Sequence, residues 1–113
     1  MTPIAIDADV LAVAQDFGLD PSLLQAVVNA EGNIVRAVQC SIPTVTTRAV
    51  ALRITARSCV HAMVDWIKSG GEERRDGFIA FWAARWAPAG AGNDPNNLNA
   101  NWASNVQQLW RDS

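Results

Sequence analysis

From Asp7 to Arg111 the apolar residues of this chain return every three or four positions, and glycine or proline stands wherever the period lapses. That spacing marks one face of an α-helix. A half-buried strand would alternate in steps of two, and no such alternation occurs. The pattern predicts an all-α chain of about six helices around one core.

The first helix is expected over residues 7–17, with Asp7 as N-cap and Val10, Val13, Ala14 and Phe17 as its buried stripe. Gly18 then sits where a left-handed residue ends a helix. The second start carries a sharper chemical signature. Asp20 offers a capping oxygen, and Pro21 follows at the first helical position, where its missing N–H costs nothing. Leu24, Val27 and Val28 form the apolar face, and Gly32-Asn33 closes the helix. A short helix is expected over 34–40 before Pro43 forces a turn at 41–44.

The longest period runs over 44–69, through Val45, Ala49, Leu52, Ala56, Cys59, Val60, Met63 and Ile67, with Val50, Ile54, His61 and Val64 round the side. So wide an apolar arc predicts that this helix lies at the centre, with His61 a core or boundary residue. A fifth helix is expected over 72–86, burying Phe78, Ile79, Phe81, Trp82 and Trp86; 87–97 reads as loop. A last helix over 99–111 buries Trp102, Val106, Leu109 and Trp110. The β-branched run at 45–47 is where a short hairpin or irregular segment is expected, within residues 40–47.

At 113 residues the chain suits one domain, residues 1–113, and half its residues being hydrophobic gives that domain a core without metals or staples. A net charge of -2 argues against nucleic acid as partner. No apolar run is long enough for a membrane span. The opening MTPIAIDADV lacks a basic start, so no secretory signal is expected. One histidine and two separated cysteines give no metal-ligand spacing, and neither phosphate- nor dinucleotide-binding glycine motif occurs, so no metal or cofactor is expected. Cys40 and Cys59 leave one disulfide open. Charge is segregated: residues 1–31 hold Asp7, Asp9, Asp16, Asp20 and Glu31 without a base, and 32–64 hold Arg36, Arg48, Arg53 and Arg57 without an acid. These are solvated helix faces, partners across the fold, or one basic wall of a cleft.

One carboxylate breaks the pattern. Glu31 continues the stripe of Leu24, Val27 and Val28 and falls in the last turn of its helix. Desolvation disfavours the anion there, and so does the negative end of the helix dipole. A carboxyl that retains its proton can donate it to a leaving group, which is what a general acid does. The competing reading has Glu31 swinging into water or pairing with Arg36 or Arg53.

A second region joins aromatic and amide side chains. Phe81, Trp82, Arg85 and Trp86 lead into Asn93, Asp94, Asn96, Asn97, Asn99 and Asn101, then Trp102 and Asn105. Indole faces pack on the C–H surfaces of sugars, and amides read hydroxyl and acetamido groups. In the competing reading the indoles are core and the asparagines are turns and caps.

Two stretches carry a likeness to a known family: Gly18 through Asn33, with its Asp-Pro start, apolar helix and Glu31-Gly32-Asn33 end, and Arg85-Trp86-Ala87-Pro88 through Asn93 to Trp102. In these the chain resembles the goose-type lysozyme and lytic transglycosylase superfamily, and more narrowly the small lysozyme-like proteins that phages encode. The resemblance implies a single lysozyme-like domain that cleaves peptidoglycan. Glu31 would be the catalytic acid/base at the bond between N-acetylmuramic acid and N-acetylglucosamine. Gln39 stands within Val38-Gln39-Cys40-Ser41, in place of the family's Gly-Leu-Met-Gln cleft segment, as a polar cleft residue. Trp82, Trp86, Asn93, Asp94 and Asn101 are the candidates for binding the glycan strand. The protein would sit in the virion, or in the host cytoplasm before release, and act on the cell wall. The alternative is a non-catalytic virion or tail protein on the same scaffold, in contact with other virion proteins; a small helical adaptor is a third.

Overall fold

The computed structural model describes residues 5–71, 75–86 and 102–111. They form six helices: α1 (Ala8–Phe17), α2 (Pro21–Glu31), α3 (Ile34–Gln39), α4 (Arg48–Lys68), α5 (Arg75–Trp86) and α6 (Trp102–Arg111). No strand occurs among the described residues, so the chain is all-α as its periodicity predicts.

Local chemistry sets the boundaries. Gly18 adopts φ 68°, and the N–H groups of Gly18 and Leu19 bond back to the carbonyls of Gln15 and Ala14 at 3.3 and 2.8 Å. This closes α1 while Leu19 turns into the core. Asp20 Oδ1 accepts from the Ser22 N–H at 2.9 Å, the expected cap of α2. Asn33 Oδ1 caps α3 through the Arg36 N–H at 3.1 Å. Asp7 occupies the N-cap position of α1, yet its side chain makes no cap bond. Its carboxylate instead takes Arg48 at 2.8 Å.

Residues 40–47 are irregular, not a hairpin. Gln39 Nε2 donates to the Val45 carbonyl at 2.7 Å, and the Val45 side chain is buried. With Val45 tucked inward and Thr47 Oγ1 accepting from the Val50 N–H at 3.3 Å, α4 starts at Arg48 and not at residue 44. α6 is described from Trp102, and its expected start at 99 lies outside the described residues.

α4 packs against α1, α3 and α5, contacted from several directions as expected, but α2 is the more deeply buried helix. Six consecutive residues of α2, Leu23 to Val28, are buried, because α1, α3 and α6 surround it. By contrast α4 buries only one narrow stripe, Ala51, Leu52, Thr55, Ala56, Cys59 and Ala62, mostly small side chains that let its neighbours approach closely. Ile54, Val60, Met63 and Trp66 pack half-buried against the core, while Val50, Val64 and Ile67 face outward, Ile67 being 69% exposed, and His61 is exposed as well. A wide apolar arc brings several neighbours to a helix without burying all of it.

Four tryptophans, Trp82, Trp86, Trp102 and Trp110, knit the C-terminal half to α2 and α4. Trp82 is fully buried and meets Phe78, Trp86 and Trp102, its ring edge-on to Trp102 at 5.3 Å between centroids. Its Nε1–H donates to Ser58 Oγ at 3.0 Å, so the buried indole keeps a partner. At the far end of α6, Trp110 Nε1–H donates to Asp20 Oδ2 at 3.2 Å. Leu109, expected inside, is only half-buried.

The segregated charges meet across α1 and α4. Arg48 Nε lies 2.7 Å from Asp9, and Arg53 lies 3.2 Å from Asp16 with its guanidinium over the Phe17 ring. All these members are exposed, so the seam is at once a solvated face and an ion-paired one. The hydrogen bond from Arg48 holds the Asp9 carboxyl below the ordinary value of 3.8. A carboxyl lowered in this way contributes stability above its unfolded value and loses it as the pH falls through its folded value. Arg48→Ala is therefore expected to lower the melting temperature by about 1–4 °C at neutral pH. The gap to wild type should close as the pH drops below 3.8, as scanning calorimetry at several pH values would show.

Cys40 and Cys59 are both free thiols, which closes the disulfide option. Cys40 is exposed; Cys59 is buried, and burial pushes its thiol up to about 12. One thiol per chain is expected to react with Ellman's reagent in the native protein, and a second only after denaturation.

Candidate functional site

Glu31 is the last residue of α2, and Gly32 follows at φ 73°, turning the backbone away. The carboxyl is half-buried where the end of α5 and the start of α6 converge. Trp86 Nε1–H donates to Glu31 Oε1 at 3.0 Å, and Trp102 Nε1–H donates to the same oxygen at 2.6 Å. Trp86 closes α5 and Trp102 opens α6, so one oxygen ties three helices together. Among the described residues no guanidinium or ammonium reaches Glu31; Arg53 is engaged by Asp16. Neither competing reading of Glu31 describes its position.

The chemistry of that arrangement follows from the donors. An indole N–H can only donate, so both bonds commit Oε1 to the acceptor role. Among the described residues both side-chain hydrogen bonds fall on Oε1 and none on Oε2. Indoles also bring no net charge. They fix the carboxyl's rotamer without locking it as half of an ion pair, which a guanidinium would do.

The other expected site residues divide. Trp86 is half-buried and joins Glu31 through its N–H. Trp82, expected to face a sugar, is 0% exposed; it is core, because its ring fills the space between Trp86, Trp102 and Phe78. Gln39 spends its amide N–H on the Val45 carbonyl and fastens the connection between α3 and α4. Asn93, Asp94 and Asn101 lie outside the described residues.

Sequence reasoning missed the second role of Trp102. Its place in an apolar stripe explained it as core, and it is buried, but its N–H serves Glu31. The available signal was a lone buried-face acid in a chain rich in indoles, since indole N–H groups need acceptors. Also missed was an open groove of about 330 Å³ between α2 and α6, lined by Asn29, Ala30, Asn105, Gln108 and Leu109. Glu31 is not among its walls.

Among the described residues no cluster of His, Cys, Asp and Glu could hold a metal ion. None of the described helices is long and apolar enough to cross a membrane. Comparison of the chain with family models, curated proteins and solved structures gives no match.

Proposed function

We propose that this chain is a peptidoglycan-cleaving glycosidase of phage type, a lytic transglycosylase or muramidase, with Glu31 as its only general acid/base. The observation that carries the reading is the Glu31 carboxyl itself: half-buried, uncompensated by any cation among the described residues, and held through one oxygen by two neutral donors.

In the proposed reaction the proton on Oε2 passes to the glycosidic oxygen between N-acetylmuramic acid and N-acetylglucosamine as the bond to the sugar breaks. The resulting carboxylate keeps both indole N–H bonds on Oε1. It then takes a proton from the muramoyl 6-hydroxyl, giving an anhydro product, or from water, giving hydrolysis. A paired-carboxylate route needs a second acid facing the first. The described candidates are occupied: Asp7 and Asp9 by Arg48, Asp16 by Arg53, Asp65 by Arg85, and Asp20 by its cap. A route with one carboxyl and no enzyme nucleophile suits this chain better. On this reading the protein is carried in the virion or released at lysis, and its partner is the glycan strand.

A second reading, a non-catalytic virion or tail protein on the same scaffold, is favoured by the structural employment of Trp82 and Gln39. Clearing of purified cell walls by wild type and by Glu31→Gln separates the two. Activity lost on substitution supports the glycosidase. Inactivity of both proteins supports the structural role, and equal activity of both overturns the assignment of Glu31.

A further inference from the structure

The Glu31 carboxyl does not account for the groove between α2 and α6. We infer that this groove is a separate binding site for one neutral sugar unit of a saccharide. Two residues along a helix turn the side-chain direction by about 200°, so Asn29 and Glu31 lie about 160° apart around α2. The groove therefore opens on a different flank from the carboxyl, and this inference does not depend on catalysis.

The orientation of Asn29 gives the first argument. Gln25, 2% exposed, has its amide spoken for at both ends. Its Oε1 accepts from the Asp7 N–H at 2.9 Å, and its Nε2 donates to Asp7 Oδ2 at 3.2 Å and to Asn29 Oδ1 at 3.0 Å. The Asn29 oxygen is thereby taken, and what this side chain offers a ligand is its NH2. That donor is fixed from the core, so little rotamer freedom is lost when it binds.

The opposite wall gives the second. Asn105 and Gln108 lie three residues apart on α6, are exposed, and have no hydrogen-bond partner among the described residues. Each can donate and accept. Ala30 and Leu109 supply the apolar surface between the amides. Alternating hydroxyls and C–H faces are what such a lining matches, and the volume of about 330 Å³ sits at the low end of small-molecule pockets, room for a single ring.

Among the described residues no Lys, Arg, Asp or Glu lines the groove, and an ion would find no counter-charge from them there. A peptide fits less well. Strand addition needs a sheet edge, and the described residues contain no strand; a docked helix needs an apolar groove, and a polyproline segment needs aromatic walls.

Titration of nitrogen-15-labelled protein with chitotriose, and in a second arm with maltotriose, reads the side-chain NH2 signals of Asn29, Asn105 and Gln108. These signals are expected to shift with a Kd on the order of 1 mM. Asn105→Leu combined with Gln108→Leu should weaken binding at least ~10-fold, since two ligand hydrogen bonds go. Both side chains are exposed, and the backbone spectrum reports that the double variant is folded. Shifts with chitotriose alone assign an acetamido-bearing unit; shifts with both sugars assign the hydroxyls. Glu31→Gln should bind as wild type does, so lost clearing with retained shifts separates this site from the catalytic proposal. The absence of shifts with either sugar, undiminished binding by the double variant, or loss of the shifts in Glu31→Gln would each overturn the inference.

Discussion

Glu31→Gln is expected to slow cell-wall clearing at least ~100-fold, the usual contribution of a general acid, while the protein stays folded. The substitution is nearly isosteric, and the amide oxygen can still accept from Trp86 and Trp102 in place of Oε1. What is lost is the ionisable group that the proposed reaction needs. Glu31→Ala makes a useful contrast. It removes the acceptor altogether, so the buried Trp102 N–H is left without a partner at a cost of about 1–3 kcal/mol. The two variants should therefore be equally inactive in a turbidity assay but differ in melting temperature, glutamine above alanine. A glutamine variant that clears walls at the wild-type rate would remove Glu31 from the chemistry, and an alanine variant as stable as the glutamine one would remove the indole bonds from the stability of the fold.

The largest loss of stability is expected from Trp82→Ala, about 3–5 kcal/mol by the measure of other buried tryptophans. Domains of this size are held by about 5–15 kcal/mol in total, so the variant should unfold at much lower denaturant or not fold at all. The ring is fully buried among Phe78, Trp86 and Trp102, and deleting it also strands the Ser58 hydroxyl. Two of those neighbours are the donors to Glu31, so the cavity would loosen the carboxyl's support too. Trp82→Phe keeps most of the volume and should cost far less. Urea unfolding of the three proteins measures the series; a cost below about 1 kcal/mol for alanine would mean that this cluster is not the core of the C-terminal half.

Much of the fold could be read from the chain because its signals are local. Asp20-Pro21 and Gly18 act on neighbouring N–H and carbonyl groups, and each sits where it should, while Asn33, read only as the end of α2, also caps α3. Rank within the core could not be read that way. How deeply α2 and α4 are buried depends on how closely their partner helices approach, and the periods of Leu23–Val28 and of Ala49–Ile67 look alike until the partners are known. Small residues decided it: Ala51, Ala56 and Ala62 let neighbours close on one side of α4 and leave Val50, Val64 and Ile67 outside.

The candidate site divides along the same line. Glu31 stood out because an acid on an apolar stripe is a local anomaly. The identity of its partners was not legible, since they arrive from helices 55 and 71 residues away and their own periods describe them as core. Trp82 and Trp86 lie one turn apart on α5, yet one is sealed against Ser58 and the other reaches the carboxyl. Nothing in their spacing separates those fates.

The 71-residue interval between Glu31 and Trp102 also sets an order of events during synthesis. At about 5–20 residues per second, a ribosome would finish α2 several seconds before it makes the second indole. Through the first 55 residues of that interval the nascent chain holds the acid with neither tryptophan there to grip it, and after that with Trp86 alone. The indole-bonded carboxyl therefore comes into being only when residues 102–110 dock along α2, at the end of synthesis.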